Sequence, residues 1–287
     1  LQYLGNQKGV ALVFVLLILT LLSIIAGSFS LGIRSDASIV HQTKTRLQSN
    51  ALRDAGLAYA QFMLSQPTAD LRWKTDAKSY PFTFDGHRLD IEIQDEAGKF
   101  DLNLIDQELL QALIAPFAES AESLSRAIVE FREGVDESDF GVDLDRSTPQ
   151  TKRAFKSVKE LFFIEGMTEG LHQKLAPLLT VYSRQKVVDL GVASEAVLNA
   201  LPGSDPAWVQ QILENRNVIG GNTSISIPSL LSKYVGVKTA RVGQYLNLSV
   251  WLTQADGVKL ATSVVLHRNV RRASPVFKEL ERNIRHE

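Results

Sequence analysis

Between Glu130 and Asp145 seven acidic residues stand against one base, Arg132. Carboxylates at that density can hold a hard cation, because calcium takes six to eight oxygen ligands and often draws them from one loop. Asp136, Asp139, Asp143 and Asp145 are the ligands a calcium site would use. Their spacing is not that of an EF-hand, and a solvated acidic loop accounts for the same residues. Other site chemistry is closed. The chain has no cysteine, which removes disulfides, thiolate metal sites and cysteine nucleophiles. Its five histidines (His41, His87, His172, His267 and His286) never fall at the H-x-x-x-H spacing of a zinc hydrolase. No G-x-S-x-G elbow, Walker A loop or nucleophile–base set is found, so nothing points to an enzyme.

A different chemistry, proteolytic processing, is suggested near the start. Val10 to Ile33 is 24 residues without a charge, bounded by Lys8 and Arg34. About 20 apolar residues suffice for a helix to cross the hydrocarbon core. The run reads as a plain membrane anchor, as a secretory signal cut near Ala26-Gly27-Ser28, or as something more particular. Gln7-Lys8-Gly9 before Val10-Ala11-Leu12-Val13 resembles the leader junction of type IV prepilins and pseudopilins. That resemblance implies cleavage after Gly9 by a prepilin peptidase, leaving Val10 as an N-methylated new N-terminus. Most such proteins carry Glu at the fifth mature position, where this chain has Phe14. A carboxylate in the bilayer is costly without a partner. A subunit that enters a filament first has no earlier neighbour to supply one, so Phe14 suits a starting subunit.

The elements that must carry these residues follow from periodicity. Leu47, Ala51, Ala55, Ala58 and Phe62 step by four, four, three and four, one face of a helix that Gln66-Pro67 ends. Small residues there permit close packing on a sheet or on another helix. Tyr80–Phe84 and His87–Asp95 flank Asp85-Gly86, a favoured hairpin turn. Tyr245–Thr253 and Val258–Asn269 form a second hairpin around Asp256-Gly257. A lone hairpin is marginal in water, so both are expected to join one antiparallel sheet. From Leu104 to Tyr234 the pattern is helical, with cap signals at Asp106, Ser157/Glu160, Thr148-Pro149 and Asp205-Pro206. Within it, Val197-Leu198-Asn199-Ala200-Leu201-Pro202-Gly203, then Ile212 and Arg216, resembles a helix–hairpin–helix. Such a turn either presents backbone N–H groups to DNA or is simply a packed helical pair. Ser204-Asp205 after the glycine and a formal net charge of −1 over 287 residues argue against phosphate binding.

Asp95-Glu96-Ala97-Gly98-Lys99-Phe100-Asp101-Leu102-Asn103 is similar to the segment that opens the insertion in general secretion pathway protein K, the large minor pseudopilins of bacterial type II secretion. Ser157–Leu161, Gly166-Met167-Thr168, and Val197-Leu198 with Leu201-Pro202-Gly203 follow in the family's order. The resemblance implies an α+β fold: a pilin-like N-terminal membrane-spanning helix packed on an antiparallel sheet, with a large all-helical domain inserted between strands. The expected division is a leader at 1–9, a helix at 10–66 with its transmembrane part at 10–33, a pilin-like α/β domain at 67–103 and 235–287, and the insert at 104–234. It also implies a non-enzymatic subunit at a pseudopilus tip. The expected partners are minor pseudopilins I and J, then other pseudopilins, prepilin peptidase, the inner membrane and secreted proteins, with no nucleic acid. The expected location is a single-pass inner-membrane protein with its bulk in the periplasm. Calcium is the one cofactor the family suggests, although Glu130-Phe131-Arg132-Glu133 departs from its Asp-Trp-rich acidic pattern. A membrane-anchored DNA-uptake protein using the 197–203 hairpin is the alternative.

Overall fold

The computed structural model describes residues 7–68, 70–133, 153–216, 227–237, 243–253, 257–269 and 275–286, without the side chains of 7–10, 27–38, 41, 285 and 286. Two compact units are present, Leu1–Asp54 and Ala55–Glu287. The first is helical throughout its described length, being the greater part of the 58-residue helix α1, Gln7–Leu64. Its described apolar side chains from Leu12 to Ile25 are exposed, Phe14 by 61 %. Among the described residues no helix is long and apolar enough to cross a membrane. The expected span 10–33 has described side chains only over 11–26.

The second unit holds the last turns of α1 and a five-stranded antiparallel sheet. Strands β1 (Asp76–Phe84) and β2 (His87–Asp95) form the first hairpin. Asp85 and Gly86 take φ of 49° and 74° in its turn, which the Asp-Gly pair tolerates. Two short parallel pairs follow, β3 (Phe100–Asp101) with β4 (Leu179–Thr180) and β5 (Val188–Asp189) with β6 (Val235–Gly236). Then come β7 (Tyr245–Thr253), β8 (Lys259–Asn269) and β9 (Val276–His286). The sheet order is β1-β2-β7-β8-β9. β2 therefore pairs directly with β7 from Leu89↔Leu252 to Asp95↔Leu246. The two hairpins do share one sheet, across everything that lies between them.

One face of this sheet is apolar and closed. Leu89, Ile91, Ile93, Leu246, Leu248, Val250, Leu252 and Val264 are buried. Leu57, Ala60 and Leu64 of α1 are buried too. A Cβ on Gly56 would meet Val250 Cγ1 at 2.8 Å, so the glycine lets the helix lie against the strand.

Between β2 and β7 a second core gathers Phe100, Leu102, Leu110, Ile114, Ile128, Leu161, Leu175, Val197, Ile212 and Val235, among others. Its helices are α2 (Gln107–Ile114), α3 (Ala121–Glu133), α4 (Glu169–Leu175), α5 (Glu195–Ala200) and α6 (Pro206–Asn215). The expected insert, 104–234, is not all-helical: β4 and β5 lie within it, paired with β3 and β6 just outside its two ends, and Val158–Phe163 is a 3₁₀ turn. Two-residue ladders satisfy buried backbone groups of extended segments that cross the core, but they are too short to show a strand period. A second addition is β9, which the sequence pattern did not reveal.

Candidate functional site

The stripe expected to meet other subunits is solvent-facing where it is described. Leu47 is 63 % and Phe62 60 % exposed; Ala51 and Ala58 are exposed and Ala55 is half-buried. The sheet is therefore not what this face covers, since Gly56, Leu57, Ala60 and Leu64 do that. Phe62 also opens onto an aromatic cluster that the sequence did not announce. Tyr59 stacks on Phe82 with centroids 4.2 Å apart, Trp73 on Tyr80 at 4.2 Å, and Tyr59 meets Trp73 edge-on at 5.5 Å. Every second residue of β1 from Tyr80 points one way, the available signal, but its partners come from α1 and a loop.

The Asp95–Asn103 segment is the joint between sheet and insertion, and each polar residue has a mechanical role. Asp95 is buried at the end of β2. Its carboxylate accepts from the N–H of Ala97, capping a 3₁₀ turn (Glu96–Gly98), and from that of Gly243, just before β7, at 2.6 Å. Lys99 Nζ donates to Glu96 Oε1 at 2.9 Å, both side chains being less than a tenth exposed. Asp101 Oδ2 accepts from Arg184 N at 2.7 Å and Ser183 Oγ at 3.1 Å. Asn103 brackets Phe155, giving Nδ2 to its carbonyl and taking its N–H.

Two more polar clamps tie the insertion to the sheet. Arg216 donates to the backbone carbonyls of Asp76 and Ala193, and its guanidinium lies 3.8 Å from the Asp76 carboxylate. Glu281 on β9 accepts from Tyr182 Oη at 2.9 Å and Ser157 Oγ at 3.0 Å. Burial first, and the Glu281 carboxylate second, hold the Tyr182 phenol well above its ordinary value. A cleft of about 90 Å³ at this junction is lined by Glu96, Lys99, His172, Tyr182, Asn247 and Glu281.

Burial pushes the Asp95 carboxyl up to about 6, against lowering by the Ala97 and Gly243 N–H groups. Glu92 and Asp101 are raised as well, by burial first. A carboxyl whose folded value exceeds its unfolded one binds protons more readily when folded, so stability falls as pH rises between the two values. The chain's resistance to denaturant is expected to fall from pH 4 to pH 6. Asp95 alone contributes about 3 kcal/mol, at 1.36 kcal/mol per pH unit between 3.8 and about 6. Asp95→Asn should flatten that leg of the profile, and a profile that rises over the same range would contradict the assignment.

Asp136, Asp139, Asp143 and Asp145 lie outside the described residues, and among the described residues no group of three acidic or histidine side chains could hold a metal ion. Gly9 and Val10 fall within α1, the Val10 side chain being outside the description. The 197–203 segment is a helical pair: α5 ends at a turn in which Gly203 takes φ of 77°, and Asp205 caps α6 by accepting from Ala207 N. The carboxylate occupies the helix end where a phosphate would have to approach.

No protein-family model and no curated protein matches the chain. Among solved structures, a chain in the crystal structure of the GspK–GspI–GspJ complex from the enterotoxigenic Escherichia coli type 2 secretion system has a similar fold. The TM-score is 0.54 at 15 % identity, over 85 % of this chain and 98 % of that one.

Proposed function

We propose that this chain is a minor pseudopilin of a type II secretion system, initiating and capping the pseudopilus tip and so supporting protein export across the outer membrane. The observation that carries the proposal is architectural. A helix laid on an antiparallel sheet, with a large insertion between β2 and β7, is matched over nearly the whole of a chain from a three-protein secretion complex. In this reading Val10–Ile33 crosses the inner membrane once, after cleavage behind Gly9 by prepilin peptidase and N-methylation of Val10. The exposed row from Leu12 to Ile25 supports an apolar surrounding there, because water would penalise so much uncovered aliphatic surface. The rest of the chain lies in the periplasm. Pseudopilins I and J are the first partners, and others add beneath, meeting Leu47, Ala51, Ala55, Ala58 and Phe62. Secreted proteins meet the insertion at the tip. Nothing catalytic is required, nucleic acid is no partner, and calcium at Asp136, Asp139, Asp143 and Asp145 is an optional addition.

Co-expression with the I- and J-type subunits of the same system tests this. A stoichiometric three-protein complex is expected, with no homopolymer. Phe14→Glu should assemble no better than wild type, since the new carboxylate gains no earlier neighbour. Gold labels on the insertion should sit at one filament end. Labels at intervals along the shaft would defeat the capping role.

A further inference from the structure

On the sheet face that carries Glu281, three residues stand side by side across β7, β8 and β9: Tyr245 opposite His267, and His267 opposite Lys278. The Tyr245 and His267 rings are 5.0 Å apart, and Tyr182 stacks on Tyr245 at 6.0 Å. The Arg184 guanidinium lies over the Tyr245 ring at 5.9 Å. Arg184 and Lys278 are exposed. Among the described residues neither is in an ion pair, and the carboxylates around them already accept other hydrogen bonds. Asp101 is held by Arg184 N and Ser183. Glu281 is held by Tyr182, Ser157 and Asn283, and Glu279 by Arg282.

The backbone of Arg184 supplies an independent observation. Its φ is 53°, a left-handed conformation that costs a non-glycine residue free energy and persists only where the surroundings impose it. Asp101 imposes it, through the 2.7 Å bond from Arg184 N. Glycine would fit the turn without strain, so packing alone gives no reason for arginine. What arginine adds is a planar cation over an aromatic ring, whose N–H fork has no carboxylate among the described residues.

We infer that Arg184, Tyr245, His267 and Lys278 form a docking row for a carboxylate-bearing segment of a partner protein. Charge complementarity selects that occupant: two cations that are in no ion pair among the described residues stand beside the aromatic row, along which the segment's aliphatic stems can lie. Adjacent strands lie about 4.8 Å apart, so Tyr245, His267 and Lys278 together span roughly 10 Å, with the Arg184 guanidinium a further 5.9 Å from the Tyr245 ring, a reach that an extended chain with more than one acidic side chain can match. A nucleic acid is the lesser fit, because the chain as a whole offers no basic excess to a polyanion.

The probe is fluorescently labelled hexaglutamate, with hexaserine as control, added to the full chain in detergent micelles. Hexaglutamate should bind and hexaserine should not, and affinity should fall several-fold between about 50 and 300 mM salt. Arg184→Gly should weaken binding about tenfold or more, the worth of one charge-assisted pair, without lowering the melting temperature. Lys278→Ala should weaken it several-fold, and it holds the test open should the glycine variant melt early. Equal binding of the two peptides, wild-type affinity in both variants, or an oligonucleotide that outcompetes hexaglutamate would each overturn the assignment. Probe binding needs no filament and no other pseudopilin, so it succeeds or fails independently of the secretion reading.

Discussion

Lys99→Met is expected to destabilise the fold by about 3–5 kcal/mol, the cost of leaving a buried charge without its partner. Glu96 and Lys99 form that pair at 2.9 Å with side chains 3 % and 7 % exposed. Methionine approximates the lysine stem, so volume is nearly kept and the loss isolates the charge. The companion variant Glu96→Leu/Lys99→Met should recover most of the stability, since an apolar pair of similar volume replaces a buried ion pair at little or no cost. Denaturant midpoints of the two variants decide the point. Equal loss in single and double variants would mean that the site needs its shape rather than its charges.

The second large effect is expected at Gly98. A Cβ built there would lie 2.5 Å from Val192 O, 2.8 Å from Val192 C and 2.9 Å from Ala193 Cα. All three are backbone atoms, so no side chain can swing aside. Gly98→Ala should therefore cost at least the 1–3 kcal/mol of an overpacked core, and the clash should show as a shift of the 191–193 backbone amide resonances. Gly170→Ala is the control. Nothing lies within 4 Å of its added carbon, and inside α4 the exchange should be neutral or slightly stabilising, since alanine is the better helix former. If Gly98→Ala melted like Gly170→Ala, the close approach of the 3₁₀ turn to the Val192 backbone would be wrong.

These two residues also show how far a sequence can be read. The order Asp95–Asn103 is visible as a motif, but its physical reason is not, because Glu96 and Gly98 make sense only beside Lys99 and the Val192 backbone. The hairpins were legible for local reasons. Asp85-Gly86 permits positive φ, and Leu89, Ile91 and Ile93 alternate as a half-buried strand does. The joining of β2 to β7 followed from the weakness of a lone hairpin. β9 gave no such signal. Lys278, Glu279, Glu281 and Arg282 crowd its middle, and an edge strand is tolerated in that form because its charges discourage pairing with other chains. The row from Arg184 to Lys278 was hidden for a related reason: it lies across strands, and its strain is a matter of φ, which residue type alone does not report.

The chain leaves the sheet at Asp95 and comes back at Gly243, two residues 148 apart whose carboxylate and N–H touch. An excursion that starts and finishes at one point asks nothing of the strands on either side. Closing a longer loop costs only about 0.6 kcal/mol for each doubling of its length, so the excursion can lengthen, shorten or change its contents while the sheet keeps its register. The cost falls instead on time. The central strand pair cannot zip until everything between its halves has collapsed enough to bring them together, and pairings this distant in sequence form slowly. Until β2 and β7 pair, each presents an uncovered strand edge, and the speed with which the intervening core gathers sets how long those edges stay open to a wrong neighbour.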